Sequence, residues 1–341
     1  MAYRHMRHNA PGYACVLASS GAALAYLYPH TVGLKHYTPD SHRDTPGLDL
    51  TLDVDIRLMA EEIKSELRWS QRAEMTGSVL ELIPSRSLEL SHAGSMATKW
   101  GAVVGVPVHF SPHFLPQARH DSRLLSDLGI DAASEQGEAI LRSLALSRHA
   151  KKFALAREMC QAKSSRIYVN AFVLGVSVTC CYLVTRALSQ AVAWRGATLL
   201  SFLLVVPTVT FAYLQAFDYN TRASQRRADV KAAGLGESVA RAGLDFYQAV
   251  VVRERLATQT TLGGGHTDTQ RHTDTRTHRH TERHTDTWSF MTEPERWFAA
   301  FRKPGLTAEE RREGVGRVVE RLYGRGGGGE EGRGERREGE T

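Results

Sequence analysis

Two long apolar runs, Ile167 to Thr185 and Gly196 to Phe217, contain no charged residue, and the short link between them carries Arg186 and Arg195 at its ends. At ~1.5 Å rise per residue a helix over the first run covers ~28 Å, against a hydrocarbon core ~30 Å thick, and the second run is slightly longer. Backbone polar groups find no water in lipid, so both runs are expected to be helical, and so short a link makes them antiparallel neighbours. Buried core helices of this length normally carry a polar face, which neither run has. The pattern predicts a mainly α membrane protein built on a two-span antiparallel transmembrane hairpin, residues 167–217.

Outside these runs the periodicity shortens. Ile56, Met59, Ile63 and Leu67 recur at three or four residues and predict a helix over Val54 to Leu67. Val79 to Ile83 and Ala102 to Phe110 read as short strands, the second opened by Gly101 and interrupted by Gly105 and Pro107. A longer helix starts near Ser134, with Ile140, Leu141, Leu144, Phe153, Ala156 and Cys160 on about one face, and is expected to continue into the first span. Residues 40–166 thus form a mixed α+β soluble arm ending in an amphipathic helix. Val239, Gly243, Phe246 and Val250 repeat the helical spacing, so residues 218–262 form a helical arm that packs back on the first.

Charge sets the orientation. Arg148, Lys151, Lys152, Arg157, Lys163 and Arg166 precede the first span, and Arg222, Arg226, Arg227 and Lys231 follow the second, so both arms belong on the positive side, with Trp194 in the link as an interfacial anchor. The link holds no Asp or Glu, which argues against a cation pore. A formal net charge of +6 and a pI near 9.2 could point to nucleic acid. The basic residues instead crowd around the hairpin and the C-terminal tail, where anionic lipid is the simpler partner. No acidic residue precedes Asp40, and Arg4 and Arg7 lead into an apolar stretch from Tyr13 to Tyr28 closed by Pro29. Residues 1–39 therefore read as a secretory signal with Ala23-Leu24-Ala25 as its cleavage site, a mitochondrial leader, or an uncleaved anchor.

Candidate chemistry is sparse. Cys15, Cys160, Cys180 and Cys181 show neither metal-ligand spacing nor a disulfide framework. His109 and His113 are four apart, but Pro112 lies between them and the glutamate of a metalloprotease motif is missing, so both read as loop residues. Gly101 and Gly105 form no phosphate loop and mark a strand bend. No catalytic, cofactor or metal residue is assigned, and neither nucleic acid nor a small-molecule substrate is expected. Inside the first span Ala171, Gly175 and Thr179 line one face with small residues, which either accept a partner helix or pack the second span. Pro207 should kink the second span, with Thr208 and Thr210 ready for the freed carbonyls. Asn170 reads as a hydrated interfacial amide. The tail, residues 263–341, begins with His-Thr-Asp repeats that resemble a translated nucleotide repeat and ends in a Gly, Arg and Glu tract. Between them Trp288 to Tyr323 stands as a weakly helical island with no assigned role.

Three segments carry a resemblance: LSRHAKKFALARE from Leu146 to Glu158, GAVVGVP from Gly101 to Pro107, and AGLDFY from Ala242 to Tyr247. With the hairpin between them and YLYP at Tyr26 to Pro29, they resemble the transmembrane protein 177 family up to about Leu262; beyond it the chain departs from the family's pattern. That resemblance implies a mitochondrial inner-membrane protein, both arms in the matrix, that helps assemble cytochrome c oxidase by stabilising its subunit 2 together with the membrane chaperone of that subunit. It brings no catalytic residues. The competing classes are a membrane-tethered enzyme with a site in residues 40–166 and a lipid-shaping hairpin of the endoplasmic reticulum.

Overall fold

The computed structural model describes residues 2–34, 52–67, 79–85, 87–114, 116, 134–191, 197–263 and 306–324. Its helices are α1 (Ala2–Leu27), α2 (Val54–Glu66), α3 (Glu135–Leu144), α4 (Arg148–Ala162), α5 (Arg166–Ala191), α6 (Ala197–Ala233), α7 (Glu237–Gly263) and α8 (Ala308–Tyr323), with strands β1 (Leu80–Ser85), β2 (Ser91–Gly94) and β3 (Ala102–Pro107). The protein is mainly helical with a small mixed sheet, as its periodicity predicts.

Helix α4 is the centre of the folded body. It is buried almost all round, from Lys152 to Ala162, and α2, β2, β3, α6 and α7 all pack on it. Its alanines let neighbours approach closely, while Phe153, Leu155 and Met159 are fully enclosed. Each such large side chain contributes ~1.5–3 kcal/mol by leaving water. Phe153 meets the rings of Phe246 and Tyr247 from α7, and a Cβ on Gly243 would lie 2.8 Å from the Phe153 ring. Glycine at 243 is thus what brings α7 onto α4. The expected packing of the second arm on the first is observed here.

In the sheet the order is β1-β3-β2, with β1 parallel and β2 antiparallel to β3. Every residue of the central β3 is buried. Gly101 takes a left-handed backbone, φ 77°, where a Cβ would fall 2.1 Å from the Val79 carbonyl oxygen, so the bend before β3 requires glycine. The expected strand to Phe110 stops at Pro107, and Val108–Phe110 form a 3-10 turn.

The single long helix expected from Ser134 into the first span is three helices. Ser134 caps α3 by accepting from Gly137 N at 2.9 Å, and Ser147 caps α4 by accepting from Ala150 N at 3.2 Å. At the other end of α4, Met96 N donates to the Ala162 carbonyl and Ser95 Oγ to that of Ser164, so the turn after β2 satisfies carbonyls that a continuous helix would have used itself. Helix α6 runs unbroken through Pro207 and continues well past Phe217, with Thr208 Oγ1 donating to the Leu204 carbonyl.

Helix α8 falls within the weakly helical island that carries no assigned role in sequence. A reciprocal capping box starts it: Thr307 Oγ1 accepts from Glu310 N, and the Glu310 carboxylate accepts from Thr307 N. The helix packs on α7 and α6, burying Ala308 and Val315. Its apolar face was hidden by the arginines and glycines interleaved with it. The repeats preceding it, the link residues 192–196 with Trp194, and the end of the tail lie outside the described residues.

Candidate functional site

Helices α5 and α6 are long and apolar enough to cross a membrane, and they lie against each other. In their most apolar stretches only 17% and 11% of residues are buried by the protein itself. A core helix would be mostly covered, and Phe172 is 71% and Leu203 60% exposed, so lipid is the environment that satisfies these faces. Asn170 near the start of α5 accepts from Asn220 Nδ2 late in α6 at 2.7 Å. The same Asn170 donates to Tyr26 Oη of α1 at 3.1 Å. Read from sequence as a hydrated amide, Asn170 is instead 1% exposed and ties three helices together.

The small-residue face turns toward α1. Ala171 is buried, and a Cβ on Gly175 would lie 3.7 Å from Ser19 O and 3.9 Å from Ala23 Cβ. Thr179 spends its hydroxyl on its own helix, donating to Gly175 O at 3.0 Å. All three border a shallow groove of about 440 Å³ shared with Ser19, Ala23 and Leu27. The sequence leaves this face to a partner helix or to α6; the element that occupies it is α1, whose segment the sequence leaves open as a secretory signal, a mitochondrial leader or an uncleaved anchor. Since Tyr26 meets Asn170 and Ser19 meets Gly175, α1 runs opposite in direction to α5. A wider apolar groove of about 1080 Å³ opens between the three helices, lined by Cys15, Leu174, Val178, Phe202, Val206 and Tyr213 among others.

Below the spans lies a buried charged centre. Arg157 Nε donates to Glu158 Oε1 at 3.0 Å, and His92 Nδ1 lies 2.8 Å from Glu158 Oε2. Burial alone would raise the Glu158 carboxyl; the Arg157 guanidinium and the His92 ring outweigh it and hold it at about 2. Tyr247 Oη donates to Asp229 Oδ1 at 2.7 Å, and burial pushes that phenol well above its ordinary range. Arg311 of α8 lies with its Nε 3.6 Å from Asp229 Oδ2, beyond hydrogen-bond reach. Lys152 is also turned inward, onto Glu62 at 2.7 Å and Glu66 at 2.8 Å of α2. Lys152 and Arg157 therefore fasten the body internally, although the sequence counts them among the membrane-flanking charges.

The two histidines part company. His113 is exposed. His109, expected in a loop, is 1% exposed against Phe110 and Phe114, and neither ring nitrogen has a hydrogen-bond partner. Burial, with Arg253 and Lys151 nearby, lowers its pKa to about 3, so the ring is neutral at physiological pH. Burial raises the Cys160 thiol to about 11, which makes it a poor nucleophile. Among the described residues no group of three or more His, Cys, Asp or Glu side chains is placed to hold a metal.

No family model matches the chain, and no solved structure matches it. Among curated proteins it is 31% identical over 165 residues to transmembrane protein 177 of Danio rerio, covering 46% of this chain and 52% of that one. The Homo sapiens protein of that name is 29% identical over 167 residues, 48% of this chain and 53% of its own, and the Xenopus laevis protein 25% identical over 174 residues, 48% and 56%. The chain spans about half the length of the curated relatives it matches. The same name recurs across species, so over that shared half the chain, with its two membrane-length helices, is similar to transmembrane protein 177.

Proposed function

We propose that the chain is a non-enzymatic, multi-pass assembly factor of the mitochondrial inner membrane. In this reading α5 and α6 form an antiparallel transmembrane hairpin, and both arms lie in the matrix. It holds cytochrome c oxidase subunit 2 while that subunit is engaged by its membrane chaperone. The family resemblance supplies this role. The observation that supports it on the molecule is the wide apolar groove between α1, α5 and α6, which the described residues leave open and which suits a client span. A photoreactive side chain at Val178, facing the groove, should cross-link to subunit 2 or its chaperone in intact mitochondria. Adducts with lipid alone would count against the client and favour a lipid-filled seam.

The enzyme reading gains one observation, the convergent charged groups around Arg157. They are engaged mainly with one another, and the buried His109 has no nucleophile bonded to it. Oxidase assembly in a His109→Asn, His113→Ala double variant should therefore remain normal; its failure would favour the enzyme.

A further inference from the structure

A cavity of about 220 Å³ opens beside the charged centre, where α4, α6, α7, α8 and the loop before β2 converge. Arg157, Arg253, Arg311 and His109 line it. Three of these carry polar atoms that make no hydrogen bond to the protein. Arg311, only 9% exposed, has neither Nε nor Nη2 hydrogen-bonded, and these two N–H groups form one edge of the guanidinium. His109 has both ring nitrogens unpartnered at 1% exposure, and Arg253 keeps Nε unpartnered while its Nη1 donates to the Leu88 carbonyl at 3.0 Å. Leaving a buried donor unmade costs roughly 1–3 kcal/mol, more for a charged group, so several together at one cavity wall mark a place where something else accepts.

We infer that this cavity is a binding site for a small oxyanion, a phosphate or carboxylate group lodged between Arg253 and Arg311 with the neutral His109 ring as an additional donor. Guanidinium edges take such groups in paired, charge-assisted hydrogen bonds. The carboxylates nearest the cationic wall are already committed. Glu158 is bound by Arg157 and His92, while Asp229 accepts from Tyr247 through Oδ1 and pairs with Arg311 through Oδ2, 3.6 Å from Nε and too far for a hydrogen bond. Glu89 and Glu254 also line the cavity, but both are exposed, where solvent and salt screen them. The volume admits an anion of the size of phosphate or a short dicarboxylate, and not a nucleotide. Because α8 contributes Arg311, the site is complete only when α8 is docked. The inference stands independently of the oxidase reading.

The oxyanion could be free or carried on a lipid headgroup, and the test separates them. Thermal unfolding of the full-length protein in detergent is followed with sodium phosphate, sodium succinate and sodium chloride at matched ionic strength. A parallel set uses nanodiscs with and without phosphatidic acid. Saturable stabilisation by phosphate or succinate beyond chloride, weakened about tenfold or more in apparent affinity by Arg253→Gln, is the expected result for a free ligand. Stabilisation by phosphatidic acid alone, lost in the same variant, assigns the oxyanion to lipid. Arg253 is the first choice because it is partly exposed, whereas Arg311→Leu would strand Asp229; Arg311→Lys, which keeps the charge but loses the paired edge, is the second variant. Equal shifts in wild type and Arg253→Gln, or no shift with any anion, overturn the site.

Discussion

At the scale of single residues the body is held by charges that look, in sequence, like surface. Lys152 and Arg311 stand on helices whose apolar positions are legible, but their acidic partners come from other elements, and no local spacing reveals a pairing of that kind; Arg157 pairs with its own neighbour Glu158, and what the sequence hides there is the burial of both. His109 is a parallel case: flanking Pro107 and Pro112 suggest a loop, and only the packing of Phe110 and Phe114 encloses the ring. Its pH consequence is specific. The folded-state pKa of about 3 lies below the ordinary 6.5, so the unfolded chain binds a proton that the folded one refuses, and stability falls as pH drops below about 6.5. The loss should approach about 1.4 kcal/mol per pH unit from this group. Glu158, held at about 2, is likewise protonated only in the unfolded chain below its ordinary pKa and adds a second loss below about pH 4.5. Urea midpoints between pH 7 and 4.5 should therefore decline in wild type and decline less steeply in His109→Phe, where His30, its pKa also lowered by burial, still contributes. An unchanged decline in the variant would mean that another group carries it.

At the scale of elements, the three segments that carry the family resemblance are α4 with its Ser147 cap, the bend and strand β3, and the α7 face around Gly243. They meet one another in the core, so what the sequence advertised is a packing arrangement and not a site. Gly243→Ala should drive a methyl into the enclosed Phe153 ring and destabilise by ~1–3 kcal/mol despite the better helix propensity of alanine; a neutral effect in urea unfolding would show that the ring can yield. Amphipathic α2 was legible to within a residue because nothing interrupts its 3.6 period. Strand β2 was not, since Ser-His-Ala-Gly has no β-branched or aromatic residue and forms by pairing along β3. The docking of helix α8, read from sequence only as a weakly helical island, was also missed, and it changes what truncation should do. Removing residues 264–305 should leave the thermal midpoint nearly unchanged, whereas removing everything after Leu262 exposes the α7 face under Val315 and Ala308. That larger deletion should cost several degrees. Equal stability of the two deletions would mean that α8 contributes nothing.

For the whole molecule, the packing of α6 and α7 on α4 joins the segment before the first span to the segment after the second. One folded body then adjoins the start of α5 and the end of α6, which supports the proposed hairpin without any appeal to charge. This matters because Lys152 and Arg157 face inward and weaken the charge argument from sequence, while α1, running opposite to α5, begins toward the link. In the proposed function the hairpin crosses the inner membrane with its body in the matrix. The most direct test is protease protection in mitochondria carrying one tag after Thr341 and another between Val192 and Arg195. When only the outer membrane is opened, the link tag should be cut and the C-terminal tag should survive until the inner membrane is dissolved. Digestion of the C-terminal tag while the link tag stays intact would contradict it.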